Sequence, residues 1–471
     1  MDRPEFLTRL LEIPPDRPAL HFADTDRSTT YGELLDGGAR VAGWLHERGV
    51  KPGDRVGIQL DNGLPLVLAH LGCMALGAVR VPLNRHYKAV ELAPILEDAT
   101  PRLVIAEDPS LFPGLDVHPE PGLGPPLRAW PSPPADVTAW LFTSGTTGRP
   151  KGAPQTFRMW TANLDSLAEA WQFDSNCRLW LMLPMFHTHG LVLGLHGTLL
   201  RGASARISAH FSPAPPPPDV TDVYGVPTFY HRWIPTMAAQ PDAFRRLRLM
   251  VSGSDGLGAA VSDEAFRLTG QRVLERYGMT ETVMICSNPY AGERRAGTVG
   301  LPLPGVALRI SEGEVQVQGP SVFDGYHPRP DAEAFTTDGW FRTGDAGELD
   351  EAGYLRLVGR KKDLVIVGGV NVSPAEVEGV IRGVPGVADV GCCGLPDEDL
   401  GEVVVAAIVP DRAKVDGPQA EAELLAAVAR AGLLLSGLKR PRQVVLVGCL
   451  PRNALGKLQR NRMAQELFGQ R

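Results

Sequence analysis

Residues 141–154 read LFTSGTTGRPKGAP, an apolar run that opens into a loop of Thr, Ser and Gly and closes on a lysine. The approach, TAWLF, reads as a buried strand delivering the chain to that loop. Gly145 and Gly148 let backbone N–H groups come close to phosphate oxygens, the hydroxyls of Thr143, Ser144, Thr146 and Thr147 add donors, and Lys151 adds a mobile cation. Such a loop suits the phosphate chain of a nucleoside triphosphate. A Walker loop requires Gly, four residues, then Gly-Lys-Ser/Thr. Counted from Gly145, those last positions hold Pro150, Lys151 and Gly152, so the usual kinase and GTPase pattern fails. Taken alone, a Gly/Ser/Thr cluster also suits a plain surface loop.

Upstream of the loop, over residues 31–106, helical periodicity alternates with short apolar runs. DRVGIQL precedes a helix over 64–77, and PRLVIAE follows another helix. This βα alternation predicts a layered α/β domain with a largely parallel sheet. Downstream of Gly325 the chain turns strand-like, and the charge run RKKD at 360–363 separates two sets of apolar strands. A domain boundary is placed there, giving an N-terminal domain over 1–360 and a C-terminal α+β domain over 361–471. The latter reads as a helix from Ser373-Pro374, strands at VADVGCCG and EVVVAAIVP, a helix at AELLAAVARA, a strand at RQVVLVG and a final helix.

The bulk composition narrows the function classes. A chain of 471 residues, 44% hydrophobic and 21% charged, has ample core for two or three domains. Its net charge of −7 offers no basic footprint for nucleic acid or an anionic membrane, so an anionic ligand must be held by local cations. The six cysteines form no CxxC pair and no zinc spacing, which fits reduced thiols in a cytoplasm. The N-terminus mixes charges and prolines and reads as neither signal peptide nor anchor. The longest apolar stretches, LVLAHLGCMALGAV and GLVLGLHGTLL, are short and each carries a His, as core helices do.

Five further stretches follow the phosphate loop in order: MFHTHG, YGMTET, FRTGD, GRKKDLVIVGGVNVSPAEVE and PRNALGKLQR. Together they resemble the acyl-adenylate-forming superfamily of acyl-CoA synthetases, nonribosomal adenylation domains and luciferases, over residues 31–457. The strings PLNRHYKAVEL, VYGVPTFY and ERYGMTETVMICSNPYAGERRAGTVGLPLPGV are similar to the malonyl-CoA synthetase branch. The resemblance implies a large layered α/β domain with a small mobile C-terminal α+β lid domain. It also implies ATP, Mg2+ and CoA, and two half-reactions, in which a carboxylate first attacks the α-phosphate and a thiol then displaces AMP.

By that resemblance Lys457 is the catalytic cation, Glu281 the magnesium ligand, Thr280 an α-phosphate contact and Tyr277 the face for adenine. Asp345 accepts from the ribose hydroxyls with Arg360 in support, Lys362 is the hinge, and Gly368 and Gly369 line the path of the CoA arm. His187 joins the catalytic group, while His189 belongs to the wall of the acyl pocket. Arg295, just before AGTVG, is the expected anchor for a second carboxylate, since a guanidinium binds one bidentately. The residues alone leave Arg295 equally at home in a solvated charge run with Glu293 and Arg294.

Two places depart from the family pattern. Asp255 and Gly256 stand where Ala-Pro is usual, and an inward Asp255 would repel a dicarboxylate. After KGA the chain continues Pro154, Gln155, Thr156, Phe157 in place of Met-Leu-Thr-His. The expected activity is a ligase joining malonate, with methylmalonate a further substrate, to CoA with release of AMP and pyrophosphate. A short-chain monocarboxylate ligase and a catalytically silent nucleotide-binding protein stay open as alternatives, as does the oligomeric state.

Overall fold

The computed structural model describes residues 3–143, 149–368, 370–435, 437–452 and 458–469, the side chains of Lys362 and Asn371 excepted. It is a mixed α/β structure with a large N-terminal part and a smaller C-terminal one. The contacts divide it into one unit of residues 1–308, 317–341 and 350–355 and a second of 309–316, 342–349 and 356–471.

Two sheets organise the larger unit. Among the described residues nine strands form one sheet in the order Leu301–Pro302, Val283–Ser287, Leu274–Met279, Leu249–Ser252, Asp222–Gly225, Arg178–Leu181, Ser204–Ile207, Pro18–Phe22, Arg27–Thr30. Its central pairs are parallel and its outer pairs antiparallel. The other sheet runs Val117–His118, Leu103–Ala106, Arg55–Gln59, Val79–Pro82, Val137–Thr143, Lys151–Thr156. LVIA at 103–106 and LMVS at 249–252 are buried at every residue, as expected of parallel strands covered on both faces.

The covering helices follow from the sequence. Thr30 and Glu33 make a reciprocal capping box that starts the helix Tyr31–Glu47. Leu64–Leu76 is apolar nearly all round and almost wholly buried, so the stretch read as a core helix is one. The second apolar stretch begins as a π-helix, His189–His196, before Gly197–Leu200. Among the described residues no helix is long and apolar enough to cross a membrane. The six cysteines form no disulfide.

In the smaller unit the long strands Val387–Asp397 and Gly401–Pro410 pair antiparallel, and Pro374–Arg382 and Gly417–Gly432 pack on them through Val377, Ile381, Leu424 and Val428. The charge run closes a short 3-10 turn, Lys361–Asp363, ahead of the strand Val365–Val367.

Candidate active site

The parallel strands of the nine-stranded sheet end side by side: Gly225 is opposite Ser252, and Ser252 is opposite Glu275. One residue further on, Gly253 and Arg276 are therefore neighbours. A Cβ added to Gly253 would fall 2.3 Å from Cζ of Arg276, so only glycine leaves room for the guanidinium. Arg276 is 4% exposed and, among the described residues, its Nε and Nη2 have no hydrogen-bond partner. Burial pulls its pKa down to about 9, which leaves it a cation at neutral pH. A buried charge without a partner is among the costliest arrangements a core can hold, and it is relieved by a carboxylate arriving in the right geometry.

His189 faces the same place. Its ring stacks on Tyr224 at 6.2 Å, it is buried, and among the described residues neither ring nitrogen has a partner. Burial, then the charge of Arg276, then His187 push it well below the ordinary histidine range, so it is neutral and offers one donor and one acceptor. His187, beside Phe186, is likewise neutral, its pKa lowered to about 4 by burial. Thr188 Oγ1 and Ser252 Oγ are likewise buried without partners among the described residues. The π-helix that starts at His189 is a common device at functional sites.

A second group of expected residues is linked by hydrogen bonds and a cation–ring contact. The phosphate loop joins two antiparallel strands, with Thr143 opposite Lys151, so the lysine leaves the loop on a strand. Lys151 Nζ lies 2.7 Å from Asp331 and 4.9 Å from the ring centre of Tyr326. Tyr326 donates to Glu281 Oε1 at 2.6 Å. Glu281 is 3% exposed and Tyr277, at the end of the strand Leu274–Met279, is also buried. Gln155 Nε2 donates to the carbonyl of Thr280 at 2.5 Å, and its Oε1 accepts from Trp160 Nε1 at 2.6 Å. Gln155, Asp331 and Tyr326 contact these expected residues and were not singled out in the sequence. Gln155 had been noted only as a departure from pattern, and the tyrosine lies in a loop without a motif.

In the smaller unit Arg360 Nε pairs with Asp345 Oδ1 at 2.9 Å, and Arg360 Nη1 donates to the carbonyl of Thr343 at 3.0 Å. Asp345 is buried. Gly368 has φ +57° in the turn between Val365–Val367 and Val370–Val372, a left-handed conformation that favours glycine. Ser144, Gly145, Thr146, Thr147, Gly148, Gly369 and Lys457, and the side chain of Lys362, lie outside the described residues.

Arg295 departs from its expected role. It sits on the exposed loop leaving Val283–Ser287, donates to Asp350 at 2.5 Å and Glu293 at 2.9 Å, and stacks over Tyr354 at 4.2 Å. These two carboxylates raise its pKa further and already occupy its fork. Asp255 is exposed and accepts from the N–H of Gly256 at 2.8 Å, so its charge is turned to solvent. Arg276 was missed because ER ahead of YGMTET looks like an ordinary strand edge. The available signal was an arginine lying within the strand Leu274–Met279, whose first four residues are all buried.

Comparison with known proteins gives a consistent picture. Residues 8–327 match the model of the AMP-binding enzymes, and 376–457 match that of the AMP-binding enzyme C-terminal domain. The malonate–CoA ligase of Arabidopsis thaliana is 33% identical over 89% of this chain and 79% of its own. The crystal structure of ATP-bound MatB from Rhodopseudomonas palustris superposes with a TM-score of 0.89 at 34% identity, covering 99% of this chain and 100% of that one. A malonyl-CoA ligase ternary product complex with methylmalonyl-CoA and AMP bound is 40% identical over 94% of this chain and 99% of its own, with a TM-score of 0.68.

Proposed function

Because the chain belongs to the family of AMP-binding enzymes, we propose that it is an ATP-dependent acid–thiol ligase that converts malonate to malonyl-CoA. One malonate carboxylate attacks the α-phosphorus of ATP, the bond to pyrophosphate breaks, and malonyl-AMP forms. The sulfur of CoA then attacks the acyl carbon and AMP leaves. The observation that carries the choice of acid is the buried, unpartnered guanidinium of Arg276 beside Gly253 and neutral His189. A monocarboxylate has no second charge to meet it. Malonate brings its distal carboxylate to two free N–H groups, with His189 and Ser252 Oγ in reserve as further donors.

The remaining roles follow the chemistry of in-line transfer, which is mostly positioning and cationic stabilisation. Lys151 and the loop residues Thr143, Ser144, Gly145, Thr146, Thr147 and Gly148 hold the β- and γ-phosphates, and Tyr277 faces adenine. Thr280 contacts the α-phosphate, and Asp345 with Arg360 holds the ribose. Glu281, a buried hard oxygen donor oriented by Tyr326, fits Mg2+, whose contribution is to neutralise the phosphate oxygens. Lys457 serves adenylation and Gly368 with Gly369 serves thioester formation, with Lys362 the pivot of the C-terminal lid domain over 361–471. A cytoplasmic location fits six cysteines that form no disulfide.

The test is CoA-dependent AMP release with malonate, methylmalonate, acetate and propionate at saturating ATP and magnesium. Malonate is expected to give the largest kcat/KM, by at least tenfold over either monocarboxylate. Parity between malonate and propionate would overturn the assignment of the acid.

A further inference from the structure

The strands that end at Gly225, Ser252 and Met279 begin, at the other edge of the sheet, at Asp222, Leu249 and Leu274. At that edge lies a cleft of about 510 Å³ lined by Arg248, Arg272, Arg294, Tyr290, Phe266 and Gln271. It belongs to the opposite end of the sheet from Arg276 and His189, and none of the residues assigned above lines it.

Its three arginines are held in ways that leave positive charge over. Arg248 is neutralised by the fully buried Asp222 and also donates to the carbonyl of Trp171 at 2.6 Å. Arg272 meets Asp263, which is largely exposed, and lies within the electrostatic reach of the buried Glu275; among the described residues it donates only through Nη1. Arg294 has no carboxylate among the described residues. Its Nε, Nη1 and Nη2 donate to the carbonyls of Pro289, Arg272 and Tyr290 at 3.1, 2.7 and 2.9 Å. Carbonyls fix the guanidinium without cancelling its charge, and each Nη keeps a second N–H. Arg248 and Arg294 both approach one ring, with Cζ 4.8 and 6.0 Å from the centre of Tyr290. Burial and the neighbouring Arg248 accordingly pull the pKa of Arg294 down. Like charges pinned around a concavity repel one another until an anion enters.

We propose that this cleft binds a phosphoryl group, free or carried on a small molecule, at a site separate from the catalytic one. Arg272 supplies Nε and Nη2, and Arg294 its spare N–H groups, to the oxygens; Phe266 and Tyr290 form the walls. Guanidinium groups match phosphate geometry, and a preorganised set loses little side-chain freedom on binding. The inference stands on this cleft alone and is independent of which acid the enzyme activates.

Calorimetric titration of the full chain with inorganic phosphate, pyrophosphate and ADP tests it, using wild type, Asp345→Ala, Arg272→Ser and Phe266→Glu. Asp345→Ala weakens the catalytic site for ADP, and Lys151→Ala, titrated alongside it, weakens that site for the inorganic anions; both should keep the second binding event. Arg272→Ser should lose at least tenfold in affinity there, with kcat/KM for malonate within twofold of wild type. Phe266 is 45% exposed, so Phe266→Glu places a negative charge at the cleft without disturbing the core and should weaken binding similarly. Binding of the inorganic anions identifies a free phosphate ligand; binding of ADP alone identifies an esterified one. The proposal is overturned if no probe binds outside the catalytic site, or if both cleft variants bind as wild type does.

Discussion

A methyl group on Gly253 would stand 2.3 Å from Cζ of Arg276, so a backbone of one strand and a guanidinium of the next share a space that admits no side chain. Gly253→Val therefore evicts Arg276 from its position without touching its charge. The expected result is a KM for malonate at least tenfold higher, with the KM for ATP unchanged, measured by pyrophosphate release.

Removing the charge itself separates the two arginines. Charge-assisted hydrogen bonds contribute about 1.5–3 kcal/mol each, so losing two of them in Arg276→Met predicts a fall of roughly 10² to 10⁴ in kcat/KM for malonate. Arg295→Ala, at a surface site already engaged by Glu293 and Asp350, should change the same quantity less than threefold. Equal losses in the two variants would refute the assignment to Arg276.

Tyr326→Phe deletes the hydrogen bond to Glu281 and leaves the ring in place. A lost bond to a charged group predicts a decrease of roughly tenfold in adenylation at low magnesium. Raising the magnesium concentration should recover much of it, because the carboxylate is disordered, not lost. A magnesium titration of malonyl-AMP formation reads this out.

Acid should destabilise the larger unit through its buried histidines. His187 titrates near 4 in the folded chain against about 6.5 when unfolded. Between those values the unfolded chain takes up a proton that the native one refuses, so stability is full above about pH 6.5 and is lost as pH falls through 4. For His187 the loss is at most about 3 kcal/mol over that window, and His70, His189 and His196, all depressed by burial, act in the same direction. His187→Asn should shrink the drop in Tm between pH 7 and pH 5.

Lys457→Ala is expected to slow malonyl-AMP formation by roughly 10² to 10³, while conversion of supplied malonyl-AMP to the thioester stays near wild type. A loss of both half-reactions alike would argue that Lys457 is not specific to adenylation.

The parts of the fold written in periodicity were legible. The helix Leu64–Leu76, the strands Leu103–Ala106 and Gly401–Pro410 and the helix starting after Ser373 all lie where hydrophobic spacing and caps put them. The π-helix at His189 was not, because GLVLGLHGTLL has no feature that separates an i→i+5 turn from an ordinary one. The proposed shift of the acyl anchor from Arg295 to Arg276 has a physical reason. The two look alike as letters, and what separates them is that Arg295 has carboxylates and Arg276 has none among the described residues, which depends on chain segments far away in sequence. The pairing of Arg295 with Asp350 spans 55 residues.

The amide of Gln155 has only one possible orientation: the indole N–H of Trp160 requires an oxygen, so the nitrogen must face the carbonyl of Thr280. One end of this side chain is rooted in the six-stranded sheet beside Lys151, and the other grips the segment that follows a strand of the nine-stranded sheet. It acts as a spacer of fixed length between the parts assigned to opposite ends of the triphosphate. On that assignment, the reach along the nucleotide is measured out inside the protein before any nucleotide arrives. A Gln155→Glu exchange, conserving length but presenting oxygen to oxygen, would miscalibrate that gauge while leaving every phosphate-binding residue in place.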